Sequence, residues 1–438
     1  MLRTHYTTEL NELLDGENVR VAGWIQDIRL HGGIAFLILR DRKGTVQITL
    51  EKKKDEQLFK NITSLSRESV LLVEGMVKKT AQVKAGLEII PTKIEILNIA
   101  QTPLPLGVID KVPAMLDTRL DNRFIDLRKP QHLAIFHLRS ILVAGIREYL
   151  FENGYLEINT PKIVSAGAEG GATLFELNYF GRTAYLAQSP QLYKQMMMAT
   201  GADKVFEIAP AFRAEPSDTV RHLSEFTSLD VEIAFIKDSH DVMDVAENLS
   251  IAGLKKVKEY GKKELEFFDV NITIPETRAP RISHAECIEI LKSLGKKCPN
   301  DDIDTEGEKL LGEYSLKNYK SEFFFITEFP TRLKRGTFYA MRNDANPELT
   351  GYFDLLYKGQ EIVSGGQREH RYDRLLAQIR ENNLNPDAFK FYLDSFKYGM
   401  PPHGGFGLGI ERFVQKMLNL SNIREANLFP RDRIRVTP

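Results

Sequence analysis

The sequence predicts an α+β protein in which a small β-barrel precedes a larger domain with a mostly antiparallel sheet flanked by helices. Short strand patterns fill residues 1 to about 100, and a strong helical pattern follows at 131–153. Strands and helices then alternate without the regular βαβ rhythm of a doubly wound sheet. A chain of 438 residues is long enough for two or three domains with large cores.

Composition and charge place the chain among globular proteins. Hydrophobic residues make up 42% and charged residues 27%, as is usual for soluble domains. The net charge of -1 shows no basic excess, so any nucleic-acid partner must be met by local patches. No stretch reaches the roughly 18 apolar residues of a membrane span, and Met1 to Tyr6 lack the apolar core of a signal peptide. Because Cys287 and Cys298 lack metal-site spacing, we expect a cytoplasmic enzyme with no membrane partner.

The N-terminal strand patterns predict a five-stranded barrel. A helix, 52–66, falls after the third strand, which fits a Greek-key barrel of the oligonucleotide-binding type, the OB-fold. A generic barrel without a ligand is the alternative. The strand candidates are 19–25, 35–40, 45–50, 70–77 and 87–90, followed by 93–97.

The turn from Asp41 to Gly44 gives a geometric prediction. If these two residues pair, position 38 faces 47 and position 36 faces 49. Phe36 and Gln47 then share one face of the sheet as diagonal neighbours. A ring beside an amide suits stacking on an unpaired base and reading its edge. Placement of Phe36 in the core is the alternative from the pattern alone.

The distribution of predicted strands, helices and helix-breaking residues divides the chain into three segments. These are 1–102 as the barrel, 103–130 as a hinge and 131–438 as the second domain. Prolines and a glycine in the hinge segment disfavour regular secondary structure there. No GxxxxGK[ST] run and no GxGxxG run after a first strand occur, so neither familiar α/β nucleotide fold is expected. The later strand candidates are 155–158, 184–187, 204–208, 227–235, 323–329, 351–357 and 360–364.

The segment around Arg213 is a candidate nucleotide site. On a strand, Arg213 and Glu215 share a face; an arginine can grip phosphate and a carboxylate can accept from an exocyclic amine. A charge pair on a strand edge is the alternative. We expect a polar hairpin loop over 216–223, and then a strand on which Phe226, Asp230 and Glu232 share a face.

Two further segments point to an acidic ligand. We expect Ser189 to cap a helix in which Gln191 and Lys194 lie on one face. A lysine near a helix start opposes the helix dipole, and an acidic ligand would explain its place there. A solvated surface lysine is the alternative. Glu169 lies in the glycine-rich segment 166–175, which reads as a lid over a ligand or as an ordinary surface loop.

The C-terminal third carries oxygen ligands and a second arginine. Glu361 and Ser364 are hard ligands suited to Mg²⁺ shared with phosphates. Because residues three apart on a regular strand face opposite ways, the strand must bulge or stop by Ser364. The run 404–409 is expected to form a glycine-rich turn opening a helix, with Arg412 in its first turn facing an anion. A tight turn beside an exposed arginine is the alternative.

Together these runs resemble the three motifs of the class II aminoacyl-tRNA synthetases: the helix 131–153 with Pro161, the segment from Phe212 to Asp230, and 407–412. The runs 169–172, 188–194 and 428–432 resemble the aspartate-specific branch of archaeal and eukaryotic type. The resemblance implies an OB-fold anticodon-binding domain joined to a class II catalytic domain. It also implies a cytoplasmic homodimer that uses ATP and Mg²⁺ to activate L-aspartate and transfers it to tRNA(Asp).

The resemblance assigns roles position by position. Arg213, Glu361 and Arg412 would be catalytic, with Mg²⁺ held by Glu361 and Ser364. Lys194 and Arg368 would read the side-chain carboxylate of aspartate. The aspartate site would comprise Glu169, Gln191, Lys194, Arg213, Asp230, Ser364 and Arg368. The ATP site would comprise Arg213, Glu215, Arg221, His222, Leu223, Phe226, Glu361, Gly409 and Arg412. The anticodon would meet Gln26, Arg29, Phe36, Gln47, Glu74 and Lys84.

Some members of this branch also charge tRNA(Asn). Gln26 matches neither the strict nor the relaxed pattern, whereas Lys84 matches the strict one. Two rival functions remain. An asparaginyl or lysyl synthetase is disfavoured by Lys194 and Arg368, because two cations suit a carboxylate. A non-catalytic, synthetase-like RNA-binding protein would be expected to have lost Arg213, Glu361 or Arg412, and the sequence keeps all three.

Overall fold

A computed structural model describes residues 1–83, 85–109, 113–165, 167, 174–214 and 219–438. The chain divides into two compact units, Met1–Pro130 and Gln131–Pro438. The predicted hinge, 103–130, falls within the first unit, where it forms two short helices, α2 (Leu116–Asp121) and α3 (Arg123–Asp126). Its assignment as a hinge stays a prediction.

The first unit contains a closed five-stranded barrel in the order β1-β2-β3-β5-β4. Helix α1 (Glu56–Thr63) begins at Asp55, whose carboxylate accepts a hydrogen bond from the Leu58 N–H over 2.8 Å. The two sequence runs at 87–90 and 93–97 form one strand, and a register shift between Glu74 and Gly75 accommodates it. The strands are β1 (Asn18–His31), β2 (Ile34–Arg40), β3 (Thr45–Glu51), β4 (Val70–Lys79) and β5 (Leu87–Asn98).

The hairpin of β2 and β3 has the predicted register. The Asp41 N–H donates to the Gly44 carbonyl over 3.0 Å, and Ile38 lies opposite Gln47. Phe36 lies opposite Thr49. Because the alternating residues of β2 fill the barrel core and Phe36 is only half-buried, Phe36 faces outward and its placement in the core is wrong. The buried apolar positions of β2 are Ala35, Leu37 and Leu39.

The second unit is built on an eight-stranded sheet in the order β12-β13-β14-β15-β16-β11-β10-β6, with a three-stranded sheet β7-β9-β8 beside it. Only the pairs β12–β13 and β6–β10 are parallel, so the expected mostly antiparallel sheet is confirmed. The strands are β6 (Leu156–Glu157), β7 (Ile163–Val164), β8 (Glu176–Tyr179), β9 (Arg182–Leu186), β10 (Lys204–Phe212), β11 (Glu225–Ala234), β12 (Arg281–Ser283), β13 (Phe323–Thr327), β14 (Tyr352–Tyr357), β15 (Gln360–Gln367) and β16 (His403–Gly409).

Helices cover this sheet, and the longest of them lies where the sequence predicts it. Side chains of α4 such as Leu138, Leu142 and Ile146 are fully buried in the main core with residues of β11, β14 and β16. The helices are α4 (Pro130–Glu152), α5 (Gln191–Met197), α6 (Ser239–Tyr260), α7 (Lys262–Leu265), α8 (His284–Ser293), α9 (Thr305–Tyr319), α10 (Tyr372–Glu381), α11 (Lys390–Lys397) and α12 (Ile410–Met417).

The glycine-rich run before α12 is a strand, which corrects the expected turn. Residues 403–409 form β16, paired with β15 on one side and β11 on the other. A Cβ atom on Gly405 would lie 2.0 Å from Glu232 Oε2 and 2.1 Å from the Val231 carbonyl oxygen. The glycines therefore permit close passage of β11 side chains and backbone, as glycines inside strands often do.

Among the described residues, no helix combines the length and the apolar character that crossing a membrane demands.

Candidate active site

A cavity of about 290 Å³ opens on the face of the large sheet. Side chains from α5, β11, β15 and the start of α12 converge on it. Glu169 and Glu215 lie outside the described residues, as does Lys84 of the barrel. The predicted site residues that line the cavity are Gln191, Arg213, Arg221, His222, Leu223, Phe226, Asp230, Glu361, Ser364, Arg368, Gly409 and Arg412.

The β10–β11 hairpin positions Arg213 over an aromatic ring. The strand ends at Phe212, so Arg213 begins the loop rather than continuing the strand as expected, and its N–H donates to the Ser224 carbonyl over 2.9 Å. The Arg213 guanidinium lies 5.4 Å from the centre of the Phe226 ring. Arginine and ring therefore meet at one end of the cavity, where a planar base and a phosphate could both be held.

A bulge brings Glu361 and Ser364 to the same side of the sheet. Leu355 pairs with Val363 and Leu356 with Glu361, so Ile362 is an extra residue without an opposite partner. The insertion reverses the alternation, and both polar side chains face the cavity. The expectation that the strand must bulge or stop by Ser364 is confirmed.

Arg412 occupies the first turn of α12, as expected, and its Nη1 donates to Glu361 Oε1 over 3.0 Å. The preceding residue fixes this turn. Buried Glu411 accepts from the Thr227 N–H at 2.9 Å and from Arg139 of α4 at 3.1 Å. Burial raises the pKa of Glu411 and outweighs Arg139, which lowers it. The arginine is therefore carried on a helix start tied to both α4 and β11.

Beside Ser364 lies a partly buried ion pair that the sequence analysis did not identify. Ser364 Oγ donates to Asp354 Oδ1 over 2.6 Å, and Lys334 Nζ lies 3.0 Å from Asp354 Oδ2. Burial lowers the pKa of Lys334, but Asp354, Tyr352 and Glu361 together outweigh burial, and the net shift is upward. Burial raises the pKa of Asp354, and the nearby Glu361 adds to that rise. A cation beside these two carboxylates is thus electrostatically favoured.

Lys194 is buried beneath the cavity and does not line it. Its ammonium group donates to Asp230 Oδ1 and to the Phe406 carbonyl, both at 2.9 Å, and lies 3.4 Å from Glu232 Oε2. Asp230 therefore stands between Lys194 and the cavity. The expected cap of this helix is wrong, because Ser189 makes no capping hydrogen bond and the residue before α5 is Pro190.

Arg368 completes the buried charge group. Its Nε donates to Glu232 Oε1 over 3.0 Å, and its buried Nη1 finds no hydrogen-bond partner among the described residues. Burial raises the pKa of Glu232, but Arg368 and Lys194 outweigh burial, so that the net shift is downward. An unpaired guanidinium nitrogen next to the cavity suits an incoming carboxylate oxygen.

Arg221 lines the cavity and is held by side chains of one helix. Its guanidinium donates to Glu308 Oε2 and to Thr305 Oγ1, each at 2.5 Å, and both partners belong to α9. Burial raises the pKa of Glu308, and Glu361 adds to the rise. In this arrangement both Arg221 and Arg412 are paired with carboxylates at the edge of the cavity.

The outer face of the barrel presents several of the predicted anticodon residues. Arg29 lies opposite Phe36 on the neighbouring strand, and its Nε donates to Asp27 over 2.9 Å. The Gln47 amide donates to Glu88 Oε2 over 3.1 Å. Exposed Glu74 lies on β4, and Gln26 is the unpaired residue of the β1 bulge between Ile25 and Asp27.

Comparison with known proteins identifies the family. The model described as tRNA synthetases class II (D, K and N) matches residues 115–433. The chain belongs to this family. A second model, OB-fold nucleic acid binding domain, matches residues 19–97 of the synthetase. Both matches confirm the resemblance that the motifs indicate.

Relatives and solved structures cover the whole synthetase. It is 55% identical to an aspartate–tRNA(Asp) ligase of Pyrococcus furiosus, with 100% of both chains covered. It is 47% identical to an aspartate–tRNA(Asp/Asn) ligase of Methanothermobacter thermautotrophicus, covering 100% of this chain and 98% of the relative. The structure of asparaginyl-tRNA synthetase from Pyrococcus horikoshii with asparaginyl-adenylate superposes with a TM-score of 0.91 at 36% identity and full coverage of both chains.

The sequence reasoning missed several functional candidates of the synthetase. Asp354 had a usable signal, since it is a charged residue inside the otherwise apolar strand β14. Lys334 lies in a loop, and no sequence pattern indicated a role for it. His403 and Gln195 had no signal either, because their significance lies in hydrogen bonds between segments 208 residues apart.

Proposed function

We propose that this synthetase uses ATP to activate L-aspartate as aspartyl-adenylate and then transfers the aspartyl group to tRNA(Asp). The observation that carries the proposal is the buried group of Lys194, Arg368, Asp230 and Glu232 beside a cavity that also contains Arg213 and Arg412. Within this group, Arg368 Nη1 has no hydrogen-bond partner among the described residues, and such an open donor favours a substrate with a side-chain carboxylate.

The reaction needs no protein nucleophile. The substrate carboxylate attacks the α-phosphorus of ATP, a new C–O–P linkage forms and pyrophosphate leaves. Arg213 is placed to hold the reacting groups, and Phe226 offers a ring on which adenine can stack. Arg412 offers charge to the far phosphates once it releases Glu361. Catalysis then consists of positioning the reacting groups and stabilising the negative charge on the phosphates.

Selection against asparagine follows from the same group. An asparagine side chain is nearly isosteric with aspartate but neutral, so the Arg368 Nη1 donor would meet an amide instead of a carboxylate. A buried charged donor left without a suitable partner costs several kcal/mol. The proposal therefore predicts aspartate over asparagine and lysine.

The experiment is ATP–pyrophosphate exchange with purified enzyme and each of aspartate, asparagine and lysine. Exchange that depends on aspartate alone supports the proposal. Exchange driven by asparagine or lysine contradicts the substrate assignment, and no exchange with any amino acid contradicts the enzymatic assignment. A Lys194→Leu variant, run in parallel, ties the activity to the buried charge group.

The residues present also fit Mg²⁺. Glu361, Ser364 and Asp354 supply hard oxygen atoms, and the two carboxylates already favour a neighbouring cation. Within the described residues, no group of three or more His, Cys, Asp or Glu side chains is arranged to hold a metal by itself. Phosphate oxygens would therefore complete the ligand set. Bound Mg²⁺ would neutralise charge on the triphosphate.

We also propose that tRNA(Asp) is charged in preference to tRNA(Asn). The support is sequence-based: Lys84 matches the strict pattern, whereas Gln26 matches neither pattern. Gln26 occupies the β1 bulge, where one substitution can redirect the side chain. Charging of both tRNA transcripts tests this; equal rates would contradict it, and Gln26→His is expected to raise charging of tRNA(Asn).

A cytoplasmic homodimer belongs to the same proposal. The edge strand β6 and the end of α4 expose Leu156 and Phe151, with 52% and 53% of their surfaces accessible. Exposed apolar groups at a sheet edge favour association with another chain. Light scattering coupled to gel filtration should give twice the chain mass of 49.9 kDa. Phe151→Asp is expected to shift it toward the monomer, and a monomeric wild type would contradict the proposal.

A further inference from the structure

A buried chain of hydrogen bonds runs from the start of β16 to the edge of the active-site cavity. It joins His403, Gln195 and Gln191, whose relative exposures are 0%, 0% and 4%. Gln191 and Gln195 are four residues apart on α5 and share a face of that helix. Only Gln191 lines the cavity.

The direction of each hydrogen bond follows from one backbone carbonyl. His403 Nδ1 lies 2.8 Å from the Pro401 carbonyl oxygen, which can only accept, so Nδ1 carries the proton. With the ring neutral, Nε2 has a free lone pair and accepts from Gln195 Nε2 over 2.9 Å. Burial lowers the pKa of His403 to about 4, which keeps the ring neutral near pH 7.

The second amide is then fixed by the first. Because Gln195 Nε2 points at His403, Gln195 Oε1 points the other way and accepts from Gln191 Nε2 over 2.8 Å. Tyr392 donates to the same oxygen over 3.1 Å. The Gln191 amide nitrogen is thereby engaged, which leaves Gln191 Oε1 beside Arg368, whose Nη2 lies 3.5 Å away. Gln191 itself lines the cavity.

We propose that His403 and Gln195 are positioning residues that orient the Gln191 amide so that its oxygen, and not its nitrogen, meets the ammonium group of the amino-acid substrate. The inference rests on the proposed function, in which Gln191 lies near that ammonium. An amide oxygen accepts from an ammonium group, whereas a flipped amide would present N–H donors to a cation and repel it. The arrangement therefore contributes to recognition of an α-amino acid without touching it.

The two ring nitrogens of His403 can be mimicked one at a time by amide side chains, which gives a matched pair of variants. In His403→Gln the side-chain oxygen can stand near the position of Nε2 and accept from Gln195. In His403→Asn the side chain reaches only the position of Nδ1, and the acceptor for Gln195 is lost. Phe396→Leu is the packing control, because its ring lies 5.9 Å from that of His403 but takes no part in the hydrogen bonds.

The readout compares aspartate with succinate, which has both carboxylates and no amino group. We expect His403→Asn to raise the KM for aspartate about tenfold, or about 1.4 kcal/mol, with kcat and the inhibition constant of succinate nearly unchanged. His403→Gln should restore the aspartate KM, and Phe396→Leu should alter stability alone. A parallel loss of aspartate and succinate affinity, or no change in either, would overturn the proposal.

Two further measurements keep the test decisive. Gln195→Met breaks the chain at its middle and should reproduce the loss of aspartate affinity without affecting succinate. In the wild-type enzyme at pH 7, ¹⁵N NMR of labelled histidine should show His403 neutral with its proton on Nδ1; a proton on Nε2 would overturn the proposal. Failure of the proposed function itself would appear differently, as wild-type enzyme without aspartate-dependent pyrophosphate exchange.

Discussion

Arg412 of α12 and Glu361 of β15 form an ion pair of 3.0 Å in the lining of the candidate active-site cavity. Both side chains are about one-third exposed, so the pair itself adds little stability. Each partner is also a proposed ligand of ATP or its metal. We therefore expect the pair to separate when the nucleotide binds, at little cost in stability.

Replacing Arg412 should affect catalysis far more than folding. We expect Arg412→Ala to lower kcat/KM for pyrophosphate exchange about 100- to 1000-fold, because a donor to the developing phosphate charge is lost. The free energy of unfolding should change by less than about 0.5 kcal/mol. Urea unfolding and exchange assays measure both. Arg374→Ala, which removes an exposed arginine paired with Asp344, is the matched control and should leave both quantities intact.

Lys194→Leu should abolish aspartate activation and also weaken the fold. The substitution leaves Asp230 and Glu232 buried without their lysine, at a cost of about 3–5 kcal/mol in unfolding free energy. Adding Asp230→Asn should recover part of that stability without restoring activity. If the double variant regained activity together with stability, Lys194 would have only a structural role.

Acidification should destabilise the protein through His403. Its pKa falls from an ordinary value of 6.5 to about 4 in the folded state. Between these values the unfolded chain binds a proton that the folded chain excludes, so stability falls as pH decreases from about 6.5 toward 4. The slope approaches 1.4 kcal/mol per pH unit. Urea unfolding of wild type and His403→Gln across this range should show a shallower dependence in the variant; parallel curves would refute the expectation.

Phe36→Ala should weaken tRNA binding and leave amino-acid activation unchanged. The half-buried ring lies on the outer face of the barrel beside Arg29. Loss of one stacked base costs about 1–3 kcal/mol, so the KM for tRNA should rise about tenfold or more. Ile96→Ala, at a partly exposed position on β5, is the control. An unchanged tRNA KM for Phe36→Ala would place the anticodon elsewhere.

Two glycines of β16 should respond differently to the same substitution. A Cβ on Gly405 would lie 2.0 Å from Glu232 Oε2, so Gly405→Ala should destabilise the protein by about 1–3 kcal/mol or more. A Cβ on Gly407 meets nothing closer than Asp230 Oδ1 at 3.5 Å. Gly407→Ala should therefore fold normally and raise the KM for aspartate. Thermal unfolding and pyrophosphate exchange separate the two effects.

The elements that the sequence predicts best are those governed by local rules. The register of the β2–β3 hairpin follows from its turn, and the need for a bulge near Ser364 follows from strand alternation. The glycine run of β16 led to the wrong prediction of a turn, because glycine occurs both in turns and in closely packed strands. Only the neighbouring Glu232, which passes close to Gly405, distinguishes the two uses. His403 and Asp354 depend on contacts between distant segments, which periodicity cannot reveal.

The extra residue in β15 also constrains how the active site can evolve. Ile362 is the extra residue that shifts the alternation of side chains between the two faces of the sheet. Glu361 and Ser364 therefore share a face only while that one insertion is kept. Deleting any single residue between them would make one of the two side chains point toward the hydrophobic core instead of the cavity. Amino-acid exchanges can therefore adjust the chemistry of this strand gradually, whereas a change in its length would remove the site in one step.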